Sequence, residues 1–138
     1  FAVDISGSIN RPLYNRYCEH LNNMKRHASF DVFFFNSSIT DGRGHYFNPD
    51  NGEKALRQFK LGMDVSIGGG TDFEPVILFW NRVNRKYDGL FIFTDGEASY
   101  STEPKDKKSV NWIIYGSKDY VDKNMRHGNK YYMNEAPK

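Results

Sequence analysis

Three short stretches concentrate oxygen-bearing side chains in a pattern that suits a divalent cation. They are Asp4-Ile5-Ser6-Gly7-Ser8, Gly70-Thr71-Asp72 and Thr94-Asp95-Gly96. Asp4 and Asp95 offer carboxylates, and Ser6, Ser8 and Thr71 offer hydroxyls. All are hard oxygen donors, with no thiolate or imidazole among them. Such a set favours Mg²⁺, Mn²⁺ or Ca²⁺ over zinc or copper. The two carboxylates balance the charge of the ion. Mg²⁺ takes octahedral oxygen ligands at roughly 2.0–2.1 Å and keeps waters readily. Even with all five side chains bound directly, one position stays open for water or for an acidic side chain of a partner. Asp4, Ser6 and Ser8 alternate along the chain, and a tight turn aided by Gly7 can aim all three at one point. Glycines 68–70 let the backbone approach closely and hand Thr71 to the same place.

Positioning these stretches requires strands that end where the motifs begin. Residues 1–5 read as a buried strand and 30–35 (FDVFFF) as a central one. Residues 90–93 form a fully apolar run that closes on Thr94-Asp95-Gly96, and 110–115 form another strand. A helix is predicted over 11–26, opened by Pro12, with Leu13, Tyr14, Tyr17, Cys18, Leu21 and Met24 on its apolar face. Arg16, Glu19, His20 and Asn23 fall on its other face. A second helix starts at Glu74-Pro75 and ends near Lys86, with Val76, Ile77, Phe79, Trp80 and Val83 inward. Turn signals at Asp41-Gly42 and Gly44 lie between Ile39 and Tyr46-Phe47 and predict an antiparallel hairpin. Short helices are expected over 53–61 and 118–125, a Pro104-containing and Lys-rich loop before residue 110, and an edge strand over 130–133. Apolar strands alternating with amphipathic helices imply an α/β class. The expected architecture is a Rossmann-like open, mostly parallel sheet with one antiparallel edge strand and helices on both faces. In such sheets ligands bind outside the carboxyl ends of the strands, where the strand order reverses. The first and third motifs should emerge there.

Composition narrows the function classes. The chain has 138 residues, 38% hydrophobic and 16% aromatic, which suits a single domain with a sizeable core. It opens at Phe1 directly on an apolar strand, so 1–138 reads as one domain and a fragment of a longer protein. The longest unbroken apolar run, Val76-Ile77-Leu78-Phe79-Trp80, is far short of the roughly 20 residues of a membrane span. No targeting segment is visible, and a cytoplasmic location is expected. One cysteine, Cys18, excludes an intramolecular disulfide framework and a thiolate-cluster zinc site. The net charge of +2 argues against nucleic acid or an anionic membrane as a partner.

At these residues the sequence resembles the von Willebrand factor A-type (VWA) fold and its metal-ion-dependent adhesion site. That pattern is Asp-x-Ser-x-Ser early, a lone Thr in the middle, and Asp late in a Thr-Asp-Gly context. DISGS carries Asp4, Ser6 and Ser8, GGGTDF carries Thr71, and FTDGE carries Asp95. All five positions match in order, and the predicted element order agrees over essentially the whole chain. The GGGTDF wording looks most like bacterial and phage VWA-like domains, several of which act beside AAA+ ATPases. The resemblance implies metal-mediated protein binding rather than catalysis. It implies that Ser6 and Ser8 bind the metal directly, Thr71 directly or through water, and Asp4 and Asp95 often through waters. It also implies a partner that offers Asp or Glu to the ion. The chain departs from the family in its shortness and in the loop expected between Thr94 and Val110.

Other residues have plainer readings. Asp72 suits the N-cap of the Glu74 helix, or an acceptor that orients the ligands. Glu97 reads as a solvated loop charge or a group on the metal rim. His20, His27, His45 and His127 show no ligand spacing, and Cys18 suits core packing. Lys105, Lys107 and Lys108 read as a solvated loop, and Tyr131-Tyr132 as cover for a sheet edge. The glycine triplet lacks the Lys-Ser/Thr ending of a phosphate-binding loop. Two alternative functions remain. One is a Mg²⁺-dependent phosphatase or phosphotransferase with Asp4 as nucleophile. Against it, haloacid-dehalogenase-like phosphatases carry a second Asp two residues after the nucleophile, and that position here is Ser6. The other is a ribonucleoprotein scaffold, against which the near-neutral charge speaks.

Overall fold

The computed structural model describes residues 1–40, 65–96, 102–116 and 127–133. The elements in chain order are β1 (Ala2–Asp4), α1 (Arg11–Met24), β2 (Phe33–Phe35), β3 (Ile39–Thr40), α2 (Glu74–Val83), β4 (Leu90–Thr94), β5 (Val110–Ile114) and β6 (Asn129–Tyr132). Short 3-10 turns cover Asn84–Lys86 after α2 and Lys107–Ser109 before β5. The six strands form one sheet in the order β3-β2-β1-β4-β5-β6. Every neighbouring pair is parallel except β2 with β3. The chain therefore builds outward from β1 on one side, then returns to build outward from β4 on the other. The reversal of strand order lies between β1 and β4.

Alternation along the strands settles which helix covers which face. Tyr14 and Tyr17 of α1 pack on Phe34 and Phe93, with ring centroids 6.4 and 5.1 Å apart. Phe79 of α2 packs on Phe33 at 4.9 Å, and Phe73, just before α2, packs on Trp112 at 4.9 Å. Phe33 and Phe34 are successive residues of one strand and point to opposite faces. The helices thus cover the two sides of the sheet, as the alternating pattern predicts. Trp112, Phe34, Phe35 and Ile92 are almost fully buried between them. Burying an apolar side chain of this kind contributes roughly 1.5–3 kcal/mol.

α1 begins where Asn10 accepts a hydrogen bond from Leu13 N at 2.8 Å, with Pro12 in the first turn. It buries Leu13, Tyr14, Tyr17 and Leu21, spaced to fall on one stripe. Two details differ from the helical-wheel expectation. Met24 ends the helix and is exposed. His20 is half-buried rather than outward, because its Nε2 hydrogen-bonds the Tyr115 hydroxyl at 2.8 Å. The central strand begins at Phe33 rather than at residue 30.

The antiparallel edge strand is β3, but its reversal lies at residues 36–38. Asn36 Oδ1 accepts from Ser38 N at 3.2 Å, and Phe35 pairs with Ile39. An Asn side chain imitates a backbone turn in this way. The hairpin expected between Ile39 and Tyr46-Phe47, and the helices expected over 53–61 and 118–125, lie outside the described residues. The 130–133 edge strand is β6, which runs from Asn129. Among the described residues no helix is long and apolar enough to cross a membrane.

Candidate metal centre

The first motif forms because a buried strand ends on a carboxylate. Asp4 closes β1 with no solvent exposure. Its Oδ1 accepts from the backbone N–H of Ser6 at 2.9 Å, which bends the chain into a turn. Its Oδ2 accepts from the Thr94 hydroxyl at 2.7 Å. The turn brings the Ser6 and Ser8 hydroxyl oxygens to 3.4 Å from each other, Ser6 buried and Ser8 exposed.

The third motif sits on the next strand. β1 and β4 pair in register at Val3 and Phe93, so Asp4 and Thr94 are neighbours across the strand-order reversal. The Thr94 hydroxyl also accepts from Gly96 N at 3.1 Å, folding Asp95 over the end of β4. Asp95 is 8% exposed and close enough for its charge to act on Asp4.

The glycine loop is stitched to the first motif by backbone alone. Gly7 N donates to Gly69 O at 2.8 Å, and Gly68 N donates to Ile5 O at 2.9 Å. A Cβ at Gly7 would stand 3.3 Å from Gly69 O, so a side chain there would press the two loops apart. Gly69 has φ +85°, a left-handed conformation that favours glycine. Thr71, half-buried, follows two residues later on the same loop. Asp72 Oδ1 accepts from Glu74 N at 2.9 Å, so this carboxylate serves the first turn of α2.

Asp4, Ser6, Ser8 and Asp95 therefore lie at the carboxyl ends of β1 and β4, and the loop bearing Thr71 is bonded to the same turn. Burial pushes the Asp4 carboxyl up to about 6. Hydrogen bonds from Ser6 and Thr94 oppose that rise, and the charge of Asp95 adds to it. Among the described residues no basic side chain acts on Asp4. The Tyr17 hydroxyl, fully buried, has no hydrogen-bond partner among the described residues. Burial and the charges of Asp4 and Asp95 push its pKa upward. Two buried carboxylates beside two adjacent hydroxyls form a hard-oxygen set of the kind that suits a divalent ion. Among the described residues no group of three or more His, Cys, Asp and Glu could hold a metal. A set of two carboxylates with three hydroxyls is a different kind of site.

Three contacts were not foreseen from the sequence, although Thr94 stands within the third motif. Thr94 anchors Asp4. Asn36, directly after β2, bonds the glycine loop. Gly116, after β5, lies so close to the Asp95 carbonyl that any Cβ there would overlap it. Each stands just past the carboxyl end of a sheet strand or at that end. That shared position is the signal that could have found them.

Elsewhere, a cavity of about 630 Å³ is lined by Phe1, Phe33 and Leu90 at the other ends of the strands and by His20, Leu21 and Met24 of α1. It includes none of the five predicted ligands. Cys18 is half-buried against the core, as expected. Glu97 and His45 lie outside the described residues. No protein-family model matches the chain, and no curated protein matches it.

Proposed function

We propose that the chain is a VWA-like, non-catalytic binding module. In it Asp4, Ser6, Ser8, Thr71 and Asp95 hold Mg²⁺ (or Mn²⁺ or Ca²⁺), and a partner protein completes the site with an Asp or Glu carboxylate. An ion held in this way gives a partner carboxylate both affinity and orientation. An AAA+ ATPase is the partner class to which the sequence resemblance points. The strongest support is the pair of buried carboxylates, Asp4 and Asp95, flanking the strand-order reversal beside the adjacent Ser6 and Ser8 hydroxyls.

The same geometry speaks against Asp4 as the nucleophile of a phosphotransferase. The residue has no exposed surface at which a phosphate ester could meet its carboxylate. The net charge of +2 does not favour a ribonucleoprotein role.

Calorimetric titration with Mn²⁺ and Mg²⁺ tests the proposal. One ion should bind per chain, and Ser6→Ala or Asp95→Ala should abolish binding while the far-ultraviolet dichroism stays native. A Glu-bearing peptide should then be retained only with the ion present. A wild-type chain that binds neither metal overturns the proposal.

A further inference from the structure

We propose that Asn36 is the positioning residue that fixes where Thr71 meets the cation, and thereby sets the affinity of the centre. This rests on the metal-binding role proposed above. Asn36 is not one of the five predicted ligands. It stands at the carboxyl end of β2, one strand out from β1.

Its bonds bracket Thr71 from both sides. Asn36 Nδ2 donates to Gly68 O at 3.2 Å, and Asn36 O accepts from Asp72 N at 3.0 Å. Residues 68 and 72 are thus both held by one residue, with Thr71 between them. The other side of the loop is tied to the Asp4 turn by the Gly7–Gly69 and Gly68–Ile5 bonds. A segment so short, pinned at both ends, keeps few backbone conformations and has little entropy left to lose on binding an ion.

The amide itself is held in place. Asn36 Oδ1 accepts from Ser38 N at 3.2 Å, while Asn36 N donates to Ser38 O at 3.0 Å. This orients Nδ2 toward Gly68. The left-handed Gly69 sits directly against the amide, since a Cβ there would come within 3.1 Å of Nδ2. An aspartate at residue 36 would set an oxygen against the Gly68 carbonyl. An apolar residue would leave Gly68 O and Ser38 N unmet. Groups that orient metal ligands without touching the ion typically change metal affinity by roughly ten- to a hundred-fold when removed.

The test combines metal titration with backbone hydrogen exchange. Asn36→Ala keeps both main-chain bonds of residue 36, so the variant should fold. It should weaken Mn²⁺ binding by roughly tenfold or more. If Asn36 acts through Thr71, adding Asn36→Ala to Thr71→Ala should change affinity by less than about twofold, whereas adding it to Ser8→Ala should cost the full factor. Equal cost in both backgrounds overturns the proposal. In the metal-free protein, Asn36→Ala should speed exchange at the Gly7, Gly68 and Asp72 amides and leave β4 amides protected. Unchanged exchange at those three also overturns it. If the wild type binds Mn²⁺ and Asn36→Ala binds it equally well, the clamp fails and the metal centre stands. If the wild type binds none, the metal centre fails and takes the clamp with it.

Discussion

The hydroxyl of Thr94 donates to Oδ2 of Asp4 at 2.7 Å, joining residues 90 positions apart in sequence across the reversal of strand order. Both groups are fully buried. Hydrogen bonds to a charged group contribute roughly 1.5–3 kcal/mol, and leaving a buried acceptor unmet costs as much again as its desolvation. Thr94→Val keeps the shape and removes the donor. It should destabilise the metal-free protein by about 2–3 kcal/mol, whereas Thr94→Ser should cost under about 1 kcal/mol. Denaturant midpoints measure both, and equal midpoints for Val and Thr would refute the role of this bond.

Asp4 makes the metal-free protein sensitive to acid in an unusual direction. Burial raises its carboxyl from the ordinary 3.8 to about 6 in the folded chain. The native state then holds a proton that the unfolded state has released. The stabilisation from this group is fully present below pH 3.8 and is lost as pH rises through 6. The loss is on the order of 2–3 kcal/mol, from about 1.4 kcal/mol per pKa unit. In the presence of a chelator, the stability difference between wild type and Asp4→Asn should therefore change across pH 4–6 in that sense. A difference that is flat with pH contradicts the burial of an ionisable Asp4.

Adding metal should reverse that penalty. At pH 7 a ligand at about a hundred times its dissociation constant stabilises the fold by roughly 2.7 kcal/mol. Thermal unfolding with excess Mg²⁺ or Mn²⁺ should shift upward in the wild type and not in Ser6→Ala. A shift of equal size in both would assign the effect to ions bound elsewhere.

Tyr17 carries a buried hydroxyl with no hydrogen-bond partner among the described residues. Its ring is useful, lying 5.1 Å from Phe93 and 5.7 Å from Tyr115. Tyr17→Phe keeps those contacts and deletes the unmet group, so it should stabilise the metal-free protein by about 1 kcal/mol. A destabilised Phe variant would mean that the hydroxyl has a partner.

Gly116 is required by its neighbour rather than by its own conformation. Any Cβ there would overlap the main-chain carbonyl of Asp95. Backbone cannot swing away as a long side chain can. Gly116→Ala should therefore displace Asp95, lowering Mn²⁺ affinity at least tenfold (about 1.4 kcal/mol) and destabilising the fold by more than about 2 kcal/mol. Wild-type affinity in Gly116→Ala would show that Asp95 does not depend on this close approach.

The local half of the design is written in the residue order. An apolar run that stops at Asp4, and another that stops at Thr94-Asp95-Gly96, mark strand ends whatever the rest of the chain does. The period-2 burial of strands and the stripe Leu13, Tyr14, Tyr17, Leu21 follow from the same local geometry. Those features were enough to predict an α/β sheet, its helices on both faces, and a turn after Asp4 that carries Ser6 and Ser8. Strand neighbours are another matter. Nothing in the sequence near Asp4 names β4 rather than β5 as the strand beside it. Sheet pairing joins segments across tens of residues and depends on the packing of the whole core. Only the folded chain sets Thr94 against Asp4, turns the edge strand back at Asn36, draws His20 inward to Tyr115, and brings Gly116 up to Asp95.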